Sequence, residues 1–188
     1  ASVRCANLYG ARDYDRLRRT MTTALISSTA GGFIVCILGL FLSRPLLLLM
    51  GSPVDVIDQA TTYMQIIFLG KPAVLVYNTC SAIMRAHGES KRPMYILTLT
   101  GIVNVVLNLI LVINFHLDVA GVAIATVLSN AIALSLALIA LLRDGEYCKV
   151  EKKNLRLRKQ ETLEIIGIGL PSCIGGLSFY FGETVVVS

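Results

Sequence analysis

The strongest constraint on this chain is that its uncharged residues come in blocks of membrane length. Residues 21–43, 93–117 and 119–142 contain no Asp, Glu, Lys or Arg, residues 59–84 contain only Lys71, and residues 165–182 again contain none. About 20 residues of helix cross the hydrocarbon core of a bilayer. Each of the first four blocks meets that length, and the fifth does so once it is extended a few residues past Glu183. The fold class expected is therefore an all-α membrane protein, a polytopic helical bundle with about five spanning helices. Composition agrees, because only 15% of the residues are charged, against about 25% in soluble domains.

The net charge of +5 by itself would suggest a nucleic-acid partner, but its distribution points to a membrane. All of the 17 Lys and Arg except Arg44 and Lys71 lie in residues 4–19, 85–92 and 143–159. Basic segments thus alternate with non-basic ones along the chain, as the positive-inside rule requires of helices that cross back and forth. Loops 4–19, 85–93 and 143–160 are expected to be cytoplasmic, in a multi-pass protein of the plasma (inner) membrane. No aromatic residues interleave with the Lys and Arg in stacking patterns, so a nucleic-acid face is not expected. The five cysteines, Cys5, Cys36, Cys80, Cys148 and Cys173, are scattered and form no C-x-x-C or Cys/His cluster. They predict packing residues rather than zinc ligands or disulfides.

Local signals set the element boundaries. Residues 1–19 read as the cytoplasmic end of a helix followed by a basic turn. The first full span runs from about Arg18 to Ser43 and is expected to stop at Arg44-Pro45, leaving residues 46–50 at the outer interface. Ser52-Pro53-Val54-Asp55 reads as a helix start, with a capping hydroxyl, a first-turn proline and an acid at the positive end of the dipole. The helix it opens reaches Met84, with a hinge expected at Gly70-Lys71-Pro72 because proline removes a backbone bond and crowds the preceding turn. Further spans are expected at about 93–113 and 120–142, joined by a short external loop at 116–118, and from about Glu161 through a second proline hinge at Pro171. Five spans, a first residue that is not Met and an end within the apolar run 185–188 lead us to expect a fragment of a longer protein.

Four strings carry a resemblance: Tyr9-Gly10-Ala11-Arg12-Asp13; Ser81-Ala82-Ile83-Met84-Arg85-Ala86-His87-Gly88-Glu89-Ser90-Lys91-Arg92-Pro93; Asn104-Val105-Val106-Leu107-Asn108; and Val119-Ala120-Gly121-Val122-Ala123-Ile124-Ala125-Thr126. In this order and spacing the chain resembles the multidrug and toxic compound extrusion (MATE) family, in its bacterial branch. The resemblance implies twelve spanning helices in two six-helix lobes. On that plan residues 1–142 belong to the amino-terminal lobe, from the end of the family's second helix to its sixth. Residues 143–160 are the cytoplasmic inter-lobe linker, and residues 161–188 begin the carboxy-terminal lobe.

Polar side chains at membrane depth are the candidate functional residues, since each is costly unless it faces protein or a cavity. Thr100, Asn104 and Asn108 recur every four residues and so share one helix face. Their amides can ligate a hard, oxygen-seeking cation such as Na⁺ or anchor a proton-carrying water chain; equally, they can bond neighbouring helices together. Lys71, Asn78 and Ser81 share a face of the preceding span. Thr126 lies in a small-residue run, where by itself it reads as helix glue. The resemblance implies that Asn78, Asn104, Asn108 and Thr126 complete a cation site built on an Asp of the family's first helix. Some relatives carry Asp at the position of Asn108, and the amide removes one negative charge.

Lys71 sits midway along its span, where reaching either interface is hardest. It either pairs with an acid in the lobe cavity, which would favour H⁺ over Na⁺ coupling, or reaches a carbonyl or water pocket without a transport role. Glu183 is the one carboxylate well inside the last span. The family's acid in that helix stands one turn nearer the proline, at the position of Phe179, so Glu183 is either a displaced coupling acid or a residue of the outer mouth.

These features predict secondary active efflux of organic, often cationic, compounds in exchange for H⁺ or Na⁺ by alternating access. No catalytic residue, metal or cofactor other than the coupling ion is expected, and the complete protein is expected to be a monomer. A lipid-linked oligosaccharide flippase would need several cavity Arg, where only Lys71 is available. An intramembrane enzyme would need a nucleophile–base pair or a metal set at depth, and the spans contain no His. A non-transport membrane subunit would not call for aligned amides beside a broken helix.

Overall fold

A computed structural model describes residues 2–49, 56–115 and 117–143. These residues form five helices: α1 (Ser2–Gly10), α2 (Tyr14–Leu49), α3 (Ile57–Ala86), α4 (Lys91–Leu109), which ends in a π-helical turn (Ile110–Asn114), and α5 (Asp118–Arg143). The expected fifth span, with Pro171 and Glu183, lies outside the described residues, as does the helix start at Ser52-Pro53.

Four helical segments are long and apolar enough to cross a bilayer: Arg16–Leu49, Ile57–Ala86, Lys91–Asn114 and Asp118–Arg143. At 1.5 Å rise per residue even the shortest spans roughly 36 Å, more than the hydrocarbon thickness of about 30 Å. Their large apolar side chains face outward in numbers that water would not tolerate: Phe33, Ile34, Phe41, Leu97, Ile102 and Val105 are all more than half exposed. Apolar faces of this extent belong against lipid or further helices. The chain is a multi-pass membrane protein.

One expectation about proline resolves differently. Pro45 does not end the first span, because α2 continues through it to Leu49. A proline lacks one N–H and leaves one carbonyl of the preceding turn unbonded, but an apolar Leu run in hydrocarbon has no water with which to bond an unwound backbone. The Ser43 hydroxyl donates to the Gly39 carbonyl, adding a bond in the turn before the proline. Helix α3 carries Pro72 in its interior and runs on to Ala86, as the expected helix to Met84 with a hinge there allows.

The turns keep the bundle tight. After α3 the chain reverses through a Schellman motif: Glu89 N–H donates to Met84 O at 3.1 Å and Gly88 N–H to Arg85 O at 3.0 Å. Gly88 sits at φ 84°, where a Cβ would be strained, so glycine is the fitting residue. Across this turn the Tyr9 ring at the end of α1 meets the His87 ring edge-on, centroids 4.8 Å apart. That contact brings the basic 12–19 and 85–92 segments to one end of the bundle. At the opposite end Arg44 pairs with Asp58 at 3.7 Å, and a shallow cleft is lined by Asp58, Gln59, Thr62 and Asp118. Charge is thus sorted by end, as the alternation along the sequence requires.

Helix α3 is the centre of the packing, lying against α2 on one side and α5 on the other, while α4 packs on α5 and barely meets α3. Glycines permit the close approaches. Gly32 of α2 faces the backbone of Pro72, where an added Cβ would lie 2.6 Å from the proline Cα. Gly39 receives the ring of Phe68, and Gly70 receives Val127 of α5. Small residues let helix backbones pack where lipid offers no hydrophobic drive for association. The main apolar cluster, with Cys5, Leu17, Tyr77, Cys80, Ile83 and Leu141 among its members, joins α1, α2, α3 and α5 at the basic end.

Gly32→Val is expected to destabilise the bundle by about 1–3 kcal/mol, the usual cost of overpacking. Gly101, with nothing within 4 Å of an added Cβ, serves as the control: Gly101→Ala is expected to be neutral or to stabilise by about 0.5–1 kcal/mol. Thermal unfolding in detergent, followed by thiol-reactive dye capture of the buried Cys36 and Cys80, measures both.

Candidate functional site

The polar residues of α4 and α5 come together at membrane depth. Asn104 Nδ2 donates to Ser129 Oγ at 3.1 Å and to Thr126 Oγ1 at 3.5 Å. Asn104 Oδ1 in turn accepts from Asn108 Nδ2 at 3.1 Å. The spacing of four on α4 stacks the two amides one turn apart, and the spacing of three on α5 turns Thr126 and Ser129 toward them. Both hydroxyls are anchored to their own helix: Thr126 Oγ1–H donates to Val122 O and Ser129 Oγ–H to Thr126 O, each at 2.9 Å.

The network ends at the Asn108 carbonyl. Asn108 Oδ1 is buried and has no hydrogen-bond partner among the described residues. Leaving such an acceptor unmet costs about 1–3 kcal/mol, so a site of this kind favours a hydrogen-bond donor or a cation over an anion.

Three of the sequence-derived candidates, Asn104, Asn108 and Thr126, are therefore joined directly. Thr100, on the same face of α4, is buried but directs its hydroxyl to Ile96 O at 2.8 Å and takes no part. Ser129 is the member that sequence reasoning missed. It is 5% exposed, and its place one turn beyond Thr126 was the available signal.

The α3 candidates stand apart from this cluster. Asn78 is exposed and makes no hydrogen bond to it. Lys71, half-buried at the midpoint of α3, has no ion-pair partner among the described residues. Its neighbour Gly70 packs on Val127, the residue following Thr126, so Lys71 lies at the same depth in the bundle as the amide network. The hinge candidates Gly70 and Pro72 are both at helix crossings, against α5 and α2 respectively. Among the described residues no group of three His, Cys, Asp or Glu is placed to hold a metal ion.

Comparison with known proteins follows the same lines. Residues 1–110 match the MatE family model. The whole chain is 28% identical to the probable multidrug resistance protein YoeA of Bacillus subtilis, covering 42% of that protein. It is 25% identical over 97% of its length to the multidrug export protein MepA of Staphylococcus saprophyticus, covering 40% of it. The chain thus spans about two fifths of the length of these relatives. Among solved structures, the inward-facing conformation of a multidrug resistance MATE family transporter of the MOP superfamily superposes with a TM-score of 0.84. That match is at 25% identity and covers 91% of this chain and 39% of the transporter.

A double-mutant cycle on Asn104→Ala and Asn108→Ala is expected to give a coupling energy of about 0.6–1.7 kcal/mol, the range found for hydrogen bonds within membranes. Unfolding of the complete protein in detergent or bicelles supplies the four free energies.

Proposed function

The chain belongs to the MatE family, and on that premise we propose that it forms part of a secondary active transporter exporting organic, often cationic, compounds in exchange for H⁺ or Na⁺. The observation that carries this reading is the interhelical amide network with an open, buried carbonyl oxygen at membrane depth. A hard cation takes oxygen ligands, and so does a proton-bearing water. An acceptor held in a low-dielectric bundle therefore selects positive charge, and its occupancy can bias one helix arrangement over another. A ligand shifts such an equilibrium only by its differential affinity for the two states. Multidrug export by the named relatives supports the substrate class.

On the same reading residues 1–142 belong to the amino-terminal lobe, 143–160 form the inter-lobe linker, and 161–188 begin the second lobe. The basic end of the bundle, with Arg12, Arg85, Arg92 and Arg143, is cytoplasmic in the plasma membrane. Alternating access would move the two lobes against each other, with Gly70 and Pro72 of α3 and Pro171 as hinge points. The complete protein works as a monomer, and it is a transporter rather than an enzyme.

Lys71 bears on the coupling ion. A fixed ammonium at the depth of the network adds positive charge to the cavity and, with Asn108 rather than a carboxylate nearby, disfavours a bare Na⁺. The proposal is therefore H⁺ coupling, with Lys71 pairing to an acid from another helix. Asn78, exposed on α3, would join the site through a further helix, and Glu183 serves near the outer mouth.

Reconstitution of the complete protein in proteoliposomes tests these points through ethidium flux. A pH gradient is expected to drive uptake where a Na⁺ gradient does so weakly, and Lys71→Met is expected to reduce the pH-driven rate about tenfold or more. Unchanged rate and ion dependence in Lys71→Met would remove Lys71 from the mechanism, and no gradient-driven flux at all would remove the transport reading. Topology is read separately: Ser90→Cys is expected to label only from the cytoplasmic side and Phe115→Cys only from the outside, both positions being exposed.

A further inference from the structure

We infer that Ser129 is a positioning residue that sets the direction of the amide chain, so that the carbonyl oxygen of Asn108 is left as an acceptor at its end. The inference rests on the proposal that the network holds the coupling ion, and it adds a residue from outside the α4 stripe. The argument is one of hydrogen-bond polarity. A hydroxyl has one hydrogen to give and lone pairs with which to accept. Ser129 gives its hydrogen to Thr126 O and Thr126 gives its own to Val122 O. Toward Asn104, both oxygens can then only accept.

An Asn amide has two orientations that differ by exchange of its oxygen and nitrogen. With two acceptors in front of it, Asn104 must present Nδ2. Its Oδ1 then faces α4's next turn and can only accept, so Asn108 must present its own Nδ2. What remains at that end is the second N–H of Asn108 Nδ2 together with Asn108 Oδ1, the oxygen buried and unpartnered among the described residues. Each choice follows from the one before it, back to the backbone carbonyls of α5.

Ser129 carries most of this constraint. Its bond to Asn104 is 3.1 Å, whereas that of Thr126 is 3.5 Å, at the limit of useful geometry. With Ser129 the amide is held in one orientation; with Thr126 alone it can turn over, and the whole chain reverses so that Asn108 Oδ1 is spent on Asn104 and only N–H groups are left for the arriving cation. The Ser129 side chain has no contact with the ion in this scheme. It acts through Asn104.

The test uses the complete protein in proteoliposomes, with ethidium flux measured against Na⁺ concentration at fixed pH and against pH without Na⁺. Ser129→Ala is expected to raise the half-saturating concentration of whichever cation drives flux by about five- to tenfold, the scale of one hydrogen bond to an uncharged partner. The maximal rate is expected to be little changed, and Ser129→Thr, which keeps the hydroxyl, to restore the wild-type value. A Ser129→Ala protein whose ion dependence is unchanged while Asn108→Ala shifts it overturns the role of Ser129 and leaves the ion site standing. The same holds if only the maximal rate or protein yield falls and Ser129→Thr fails to rescue it, which marks a packing residue. If Asn104→Ala and Asn108→Ala also leave ion dependence unchanged, the underlying ion-site proposal fails as well.

Discussion

Hydrocarbon cannot hydrogen-bond, and every part of this structure answers to that fact. A backbone group left open in the bilayer core has no water to satisfy it, so the apolar blocks become uninterrupted helices. The behaviour of Pro45 and Pro72 follows directly. In water a proline commonly closes a helix, since solvent takes up the freed carbonyl. Here the helix carries on through both prolines, because unwinding would expose more unpaired groups than the proline itself creates.

The same condition governs side chains. Thr22, Thr61, Thr79, Thr100 and Ser135 all donate to a backbone carbonyl three or four residues earlier, which satisfies a hydroxyl without any help from another helix. Asn cannot close such a local bond with both its donors and its acceptor. Its remaining groups have to find partners elsewhere, and that is why Asn104, carrying Asn108 one turn along α4, and not Thr100, becomes the link to α5. A residue type that cannot satisfy itself locally is the one that reports a neighbour.

Packing then decides which neighbours are available. Gly32 and Gly39 let α2 settle onto Pro72 and Phe68, and Gly70 lets α5 settle onto the opposite side of α3. With α5 wedged between α3 and α4, the amides of α4 meet hydroxyls of α5, while Lys71 and Asn78 of α3 remain outside the bonded cluster. Depth connects Lys71 to it; hydrogen bonds do not. An ammonium and a cation-seeking acceptor at one level of a low-dielectric bundle influence each other at distances where water would screen them.

The sequence by itself determined how many times the described chain crosses the membrane, which ends gather the basic residues, and which family the chain resembles. These are readable because hydrophobic length, loop charge and local turn chemistry are properties of consecutive residues: the uncharged run at 119–142, the Arg85–Arg92 charges and Gly88 at its positive-φ turn each act where they stand. The tertiary structure alone decided that Ser129 joins Asn104, that Thr100 does not, that Asn78 stands apart, and that Asn108 Oδ1 is the oxygen left open. Those outcomes depend on which helix lies beside which and at what rotation, and on the fixed direction of each hydrogen bond. Residues 22 or 25 positions apart in the chain carry no local mark of that meeting; only the close packing of α4 on α5 produces it.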